Sequence, residues 1–284
     1  MRRRLAAFAI WTPTQIGEAL EEPVLLAPRQ EPRLAPLLAR RLNGKDSPAL
    51  IRTTLDAALQ RRLEDLLLGW RARLPEHTSS AILVVEHANM AVRAYLGSVD
   101  IHDQRRFGHV DMINAQRSPG STLKPFLYGM ALDAGLIHSE SLLQDVPRRY
   151  GDYRPGNFAA GFSGPVSASE ALASSLNLPA VQLLEAFGPK RFAGELRAAG
   201  VPLSLPALAE PNLAIILGGA GSRLEALVGG YRALAQGGKA ARIRLQPDAP
   251  LLGRRLLSPG SAWIIRRIRS GQPRPQRAPR GAFQ

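Results

Sequence analysis

Residues 117–126 read Arg-Ser-Pro-Gly-Ser-Thr-Leu-Lys-Pro-Phe, which places Ser121 three residues before Lys124. Residues three apart lie on one face of a helix, so these two side chains can meet. A hydroxyl nucleophile with a neighbouring amine base requires that arrangement. Taken alone, however, Ser-x-x-Lys more often marks an ordinary helix N-terminus with a solvated lysine.

The residues around this pair predict a helix that begins close to Ser121. Pro119 and Gly120 interrupt whatever precedes, and we expect a helix from Thr122 that ends before Gly135. Its apolar positions have helical spacing: Leu123, Phe126, Leu127 and Met130. Pro125 is tolerated near the start of a helix, but it cannot donate to the Ser121 carbonyl oxygen.

A second motif, Ser175-Leu176-Asn177, lies between two apolar segments with helical spacing. Ser-x-x-Lys and Ser-x-Asn are two of the three signatures of active-site serine enzymes that bind penicillin. Without further context, a helix-to-helix turn with local capping explains Ser175 and Asn177 equally well or better.

The context is specific, because RSPGSTLKPF, YRPxNF (153–158) and SLNLPAV (175–181) follow one another in that order. Together they resemble the transpeptidase domain of the class A bifunctional penicillin-binding proteins. The segments RFGHVDMINAQ (106–116) and GLIHSESLLQDVP (135–147) resemble the 1C type. The resemblance extends from about residue 53 to about residue 238.

This resemblance implies an α+β fold of the penicillin-binding transpeptidase and serine β-lactamase type, with helices around an incomplete antiparallel sheet. Residues 1–48 are then expected to be a remnant of the glycosyltransferase domain and a linker. Residues 49–284 are expected to be the transpeptidase domain without its C-terminal strands. On this interpretation the chain is truncated at both ends.

The resemblance also implies a peptidoglycan D,D-transpeptidase that acts through a serine acyl-enzyme. Ser121 is the expected nucleophile and Lys124 its base, which requires burial to lower a lysine pKa from about 10.4. Ser175 is expected to relay a proton and Asn177 to hold Lys124 and the substrate. We therefore expect Lys124 to lie out of solvent in contact with Ser121, Ser175 and Asn177.

The expected partners are peptidoglycan stem peptides ending in D-Ala-D-Ala and β-lactams, with no cofactor and no nucleic acid. The family acts at the periplasmic face of the bacterial inner membrane. Its membrane anchor and signal are not found in this sequence, because the apolar run Leu5–Trp11 is too short to span a bilayer.

One departure from the family is serious, since the third signature, Lys-Thr-Gly, does not occur in these 284 residues. In relatives this motif binds the substrate carboxylate and supplies a second oxyanion donor. Loss of one such donor costs on the order of 100- to 1000-fold in rate. We therefore expect an impaired enzyme, or a non-catalytic module that binds penicillin or cell wall.

Composition leaves one further class open. The net charge is +14 and the pI about 11.2, values that favour polyanion binding. The basic residues are scattered, however, so a solvated basic surface is the simpler interpretation.

Two further kinds of site are disfavoured by the sequence. The chain has no cysteine and its five histidines show no ligand spacing, so we expect no metal site. A β-lactamase is disfavoured because no deacylating glutamate is evident.

The remaining patterns predict an outline of the fold. Runs 81–85 and 91–96 predict a hairpin, and capping boxes at Thr53–Asp56 and Ser222–Glu225 predict two helix starts, the second helix ending near Gln236. Further helices are expected at about 169–175, 179–187 and 190–199. Residues 139–168 are expected to be irregular and residues 253–284 to form a solvated tail.

Overall fold

The computed structural model describes residues 34–151, 155–157 and 161–272, together with residues 12, 14, 15, 17 and 18. The chain divides into two compact units, Met1–Arg33 and Leu34–Gln284. Most of the expected glycosyltransferase remnant lies outside the described residues, as does the arginine-rich end after residue 272.

Helices make up most of the regular structure. The α-helices of the second unit are α1 (Pro36–Leu42), α2 (Ala57–Trp70), α3 (Lys124–Asp133), α4 (Ala168–Ala173), α5 (Asn177–Phe187), α6 (Pro189–Ala198), α7 (Leu224–Ala235) and α8 (Pro259–Ser270). Short 3₁₀ segments precede α3 (Gly120–Leu123) and α7 (Leu213–Leu217). Helices α4, α5 and α6 confirm the three helices expected between residues 169 and 199.

The strands pair as antiparallel two-stranded sheets. They are β1 (Ile82–Val85) with β2 (Val92–Leu96), β3 (Leu142–Asp145) with β4 (Gly164–Ser167), and β5 (Lys239–Ala241) with β6 (Gly253–Arg255). A bulge interrupts the first pair between Val84 and Val85. Helices combined with small antiparallel sheets agree with the expected α+β class, and the predicted hairpin at 81–96 is confirmed.

Helix α3 lies at the centre of the main hydrophobic core. Its first eight residues, Lys124 to Ala131, are all buried, including the predicted apolar positions Phe126, Leu127 and Met130. The fourth predicted position, Leu123, is buried in the preceding turn. Helix α5 packs beside it and buries residues such as Val181 and Leu184 in the same cluster. The start of α3 is therefore excluded from solvent, which is unusual for a position that carries a charged side chain.

Helix α2 packs against β2 through the face that carries Leu59, Leu63 and Leu67. Leu67 is buried and Leu59 and Leu63 are partly buried beside it, whereas Leu66 and Trp70 are about half exposed. The helix begins after Asp56, whose carboxylate accepts from two backbone N–H groups of the first turn, so the predicted start at Thr53 is wrong. The true cap is the residue that reaches the unpaired N–H groups.

The capping box at Ser222 is also wrong. The N-cap of α7 is Arg223, without a side-chain cap, and the Ser222 hydroxyl is buried with no hydrogen-bond partner among the described residues. Ser222 instead pairs through its backbone with Arg117. The side chain of Glu225 contacts Arg41 at 2.7 Å instead of reaching back to the cap. The end of α7 at Ala235 is close to the predicted one.

Two regions expected to be irregular contain regular structure. Hairpin β3–β4 lies inside residues 139–168, and β6 and α8 lie in the predicted tail. Helix α8 buries Ala262 and Ile265 in the main core, which explains why it is not solvated. Among the described residues, none of the helices combines the length and apolar character needed to cross a membrane.

Gly237 and Gly238 connect the end of α7 to the start of β5, and the two positions offer a matched test of this connection. Both have a left-handed backbone, with φ of +55° and +85°. A Cβ on Gly237 would meet nothing within 4 Å, whereas one on Gly238 would lie 1.9 Å from the Leu257 carbonyl oxygen.

We expect Gly237→Ala to lower the free energy of unfolding by about 1 kcal/mol, because only backbone strain is added. Gly238→Ala should cost about 3 kcal/mol or more, because overpacking against a backbone atom is added to the strain. Urea unfolding of the two variants measures the difference. Equal losses would contradict the close approach at Gly238.

Candidate active site

Ser121 lies in the 3₁₀ turn Gly120–Leu123 that leads into α3. The N–H of Lys124 donates to the Ser121 carbonyl oxygen, which replaces the bond that Pro125 cannot make. The Ser121 side chain is exposed and forms no hydrogen bond with the described residues. Its backbone N–H likewise has no acceptor there.

The turn is held from three directions by groups other than the Ser121 side chain. Arg117 and Ser222 exchange backbone hydrogen bonds of 2.9 and 2.8 Å. The Ser118 hydroxyl donates to the Gly218 carbonyl oxygen at 2.9 Å, and the Tyr231 hydroxyl donates to the Thr122 carbonyl oxygen at 2.9 Å. The backbone around Ser121 is therefore fixed independently of its hydroxyl.

Lys124 is the first residue of α3, and its side chain is only 1% exposed. Its Nζ donates to the Ser175 carbonyl oxygen at 2.6 Å and to Asn177 Oδ1 at 2.8 Å, and it lies 3.3 Å from Ser175 Oγ. The structure thus brings together Lys124, Ser175 and Asn177. The expected bond to Ser121 is not among the hydrogen bonds of the described residues.

Burial lowers the pKa of Lys124 from 10.5 to about 8. No carboxylate of the described residues forms an ion pair with it, so its acceptors are neutral oxygens. A protonated amine donates to all three of these oxygens. A neutral amine donates to two and can accept from the Ser175 hydroxyl through its lone pair. The arrangement therefore suits either protonation state.

Ser175 occupies a backbone conformation that is unusual for its residue type. Its φ is +56°, in the left-handed region, just after the end of α4. The Ser175 N–H donates to the Leu172 carbonyl oxygen and the Leu176 N–H to that of Ala171, the bonding pattern of a Schellman motif. Glycine is the usual residue at this position of a Schellman motif. Because this residue is a serine, both its carbonyl oxygen and its hydroxyl oxygen lie close to Lys124 Nζ.

Asn177 is the first residue of α5, and its side-chain amide is oriented by two contacts. Its Nδ2 donates to the Gly156 carbonyl oxygen at 2.7 Å, which leaves Oδ1 to accept from Lys124. Its backbone N–H donates to Asn157 Oδ1 at 3.1 Å. Asn157 Nδ2 in turn donates to Asp145 Oδ1 at 2.8 Å.

Neither Asn157 nor Asp145 is predicted from the sequence as a site residue. Asn157 lies within the YRPxNF motif, whose other residues are only partly described. Asp145 alternates in phase with the buried Leu143 along β3, and both are buried while Leu142 and Gln144 are exposed. A carboxylate on the buried face of a strand needs hydrogen-bond donors, but Leu-Leu-Gln-Asp at 142–145 does not alternate between apolar and polar residues, so the sequence carries no signal for it.

Comparisons with known proteins identify the family. Residues 81–204 match the family model of the penicillin binding protein transpeptidase domain. The chain is 61% identical over 272 residues to penicillin-binding protein 1C of Escherichia coli (strain K12), which covers 96% of this chain and 35% of that relative. It is 33% identical over 175 residues to penicillin-binding protein 1A of the same strain, covering 60% of this chain and 20% of the relative.

The fold is similar to that of the PonA1 protein from Mycobacterium tuberculosis, solved in complex with penicillin V. The TM-score is 0.61 at 22% sequence identity, and the match covers 75% of this chain and 61% of PonA1. The chain spans about a third of the length of the 1C relative. From the sequence identity and the family model together, the chain belongs to the penicillin-binding proteins, of the 1C type, with a transpeptidase domain.

Proposed function

We propose that this chain carries the acyl-transfer centre of a peptidoglycan D,D-transpeptidase, with Ser121 as the nucleophile. The observation that carries the proposal is the buried amine of Lys124, held by Ser175 and Asn177 one helical turn from Ser121. A lysine with a lowered pKa beside a serine is the usual arrangement of a serine nucleophile activated by an amine.

In the first half-reaction, Ser121 Oγ attacks the carbonyl carbon of the penultimate D-alanine of a stem peptide. Neutral Lys124 takes the hydroxyl proton as the C–O bond forms. The free N–H of Ser121 then donates to the developing oxyanion. The C–N bond breaks, the proton passes through the Ser175 hydroxyl to the leaving nitrogen, and D-alanine departs.

In the second half-reaction, an amine of a neighbouring stem peptide attacks the ester carbonyl carbon. The new C–N bond forms, the bond to Ser121 Oγ breaks, and the proton lost by the amine returns through Lys124 to Ser121. A β-lactam presents a similar acyl group, so it acylates Ser121 in place of the stem peptide. Peptidoglycan as substrate puts this chemistry on the periplasmic side of the bacterial inner membrane.

A non-catalytic penicillin-binding or wall-binding module is the second candidate. The observation in its favour is that Lys-Thr-Gly does not occur in the 284 residues of this chain. A centre without that motif's oxyanion donor and carboxylate contact is expected to acylate slowly and to transfer more slowly still. Acylation without release of D-alanine or transfer to an acceptor amine distinguishes this candidate from the first.

A fluorescent penicillin should label the wild-type chain covalently, and Ser121→Ala should abolish the labelling. The variant removes an exposed hydroxyl without a hydrogen bond to the described residues, so its melting temperature should stay within about 2 °C of wild type. Gel fluorescence and peptide mass spectrometry locate the label. Ser174→Ala, at an exposed serine beside the site, is the matched control and should label normally. Labelling retained in Ser121→Ala would contradict the assignment.

The labelling rate should rise with pH through the pKa of Lys124, since only the neutral amine accepts a proton. With a pKa of about 8, the neutral fraction is about one tenth at pH 7 and about nine tenths at pH 9, a change of about tenfold. Initial rates at saturating penicillin measure the profile. A flat profile, or one that rises only near pH 10.5, would exclude Lys124 as the base.

Lys124→Arg should lower the labelling rate by at least about 100-fold at every pH, because guanidinium stays protonated and cannot act as a base. Lys190→Arg is the matched control, since its side chain is 68% exposed and forms a surface ion pair with Glu210. That control should keep both the rate and its pH dependence. Equal rates in the two variants would remove Lys124 from the mechanism.

A further inference from the structure

We infer that Asp145 and Asn157 are positioning residues for this acyl-transfer centre, which fix the start of α5 so that Asn177 Oδ1 faces Lys124. The inference rests on the proposed function only where labelling is measured. It concerns two residues that touch neither Ser121 nor Lys124 through any hydrogen bond of the described chain. They act through Asn177.

The first step is the buried carboxylate at the end of β3. Asp145 is 0% exposed and accepts from Asn157 Nδ2 and from the Ser163 N–H, each at 2.8 Å. No basic side chain of the described residues pairs with it. A carboxylate buried beside neutral donors depends on those donors remaining in place, so Asp145 is a rigid anchor for the segment around Asn157.

The second step is the orientation of the Asn157 amide. A carboxylate only accepts hydrogen bonds, so Asp145 favours the amide orientation in which Nδ2 faces β3, and the Gly161 carbonyl oxygen, which accepts from the same Nδ2 at 3.2 Å, favours it too. Oδ1 of Asn157 then faces the opposite way and accepts from the Asn177 N–H at 3.1 Å. That N–H is one of the unpaired donors at the start of α5, whose N-cap residue, Leu176, has no side-chain oxygen to offer.

The third step links the orientation of Asn157 to the Lys124 amine through Asn177. With its backbone N–H held by Asn157 and its Nδ2 held by the Gly156 carbonyl oxygen, Asn177 has only Oδ1 left to present to Lys124. We call these two hydrogen bonds, from the Asn177 N–H to Asn157 Oδ1 and from Asn177 Nδ2 to the Gly156 carbonyl oxygen, the Asn177 clamp. Both of its acceptors belong to one short segment, 156–157, and that segment is fixed through Asp145. Two amide orientations follow in sequence from one buried carboxylate.

An exchange of the two acidic and amide residues tests this order. Asn157→Asp alone turns a carboxylate toward Asp145, so the clamp should open and penicillin labelling should fall by on the order of 100-fold. In the double variant Asp145→Asn and Asn157→Asp, the new amide at position 145 can donate through Nδ2 to the new carboxylate at position 157, while its Oδ1 accepts from the Ser163 N–H. The second oxygen of that carboxylate still accepts from the Asn177 N–H, but the Gly161 carbonyl oxygen loses its donor, so labelling should return to within about tenfold of wild type and not fully.

The double variant also places a negative charge nearer to Lys124, which should raise the pKa of the amine. The pKa is read without activity from the ¹³Cε shift of Lys124, one of four lysines in the chain, during a pH titration. Asn43→Asp is the control for the charge added by Asn157→Asp, because Asn43 is exposed at the end of α1 and its side chain forms no hydrogen bond with the described residues. It should leave both the labelling and the Lys124 titration unchanged.

The outcomes separate the two levels of the proposal. Rescue of labelling in the double variant, with a raised Lys124 pKa, supports the positioning role. Single variants that stay folded, label as wild type and leave the Lys124 titration unchanged would overturn it, as would a folded double variant no better than Asn157→Asp. A wild-type chain that takes no label refutes the proposed function alone, because the Lys124 titration still tests the clamp.

Discussion

The site depends on the burial of one amine. Lys124 is 1% exposed, and lowering its pKa from 10.5 to about 8 corresponds to a loss of about 3 kcal/mol in stabilisation of the ammonium form. Its acceptors are a carbonyl, a hydroxyl and an amide oxygen, which position the amine without the full opposite charge that would keep it protonated. A carboxylate in place of any of them would favour the ammonium form and remove the base.

The need for uncharged oxygens around Lys124 is met in part by the backbone conformation of Ser175. Ser175 supplies both a carbonyl and a hydroxyl oxygen only because it takes the left-handed conformation after α4, at a cost of about 1–2 kcal/mol for a residue with a Cβ. Glycine would relieve the strain and keep the carbonyl contact, but it would lose the hydroxyl. Under the proposed function, the proton relay through the Ser175 hydroxyl gives this strain a chemical use.

The sequence predicts the helical part of the site and misses its support, for a physical reason. Apolar spacing is local information, so α3, α5 and the β1–β2 hairpin follow from it. The β3–β4 pair joins strands of four residues across a long irregular segment, and β6 is exposed throughout, so neither has a detectable period. Asp145 and Asn157 meet only through that long-range pairing. The same limit applies to Ser222, whose backbone pairing with Arg117 overrides its capping pattern.

The side chains of Lys124 and Ser121 are fixed in opposite ways. Lys124 is held from within the core by the start of α5, whereas Ser121 sits on an exposed turn held by contacts to Ser222, Gly218 and Tyr231. Because none of those contacts uses the Ser121 hydroxyl, that group can turn toward a substrate or toward the amine without disturbing the turn. In the proposed mechanism, the proton transfer from Ser121 Oγ to Lys124 Nζ connects the exposed part of the site to its buried part. Under the proposed function, this division keeps the base desolvated while the nucleophile remains open to a large polymer.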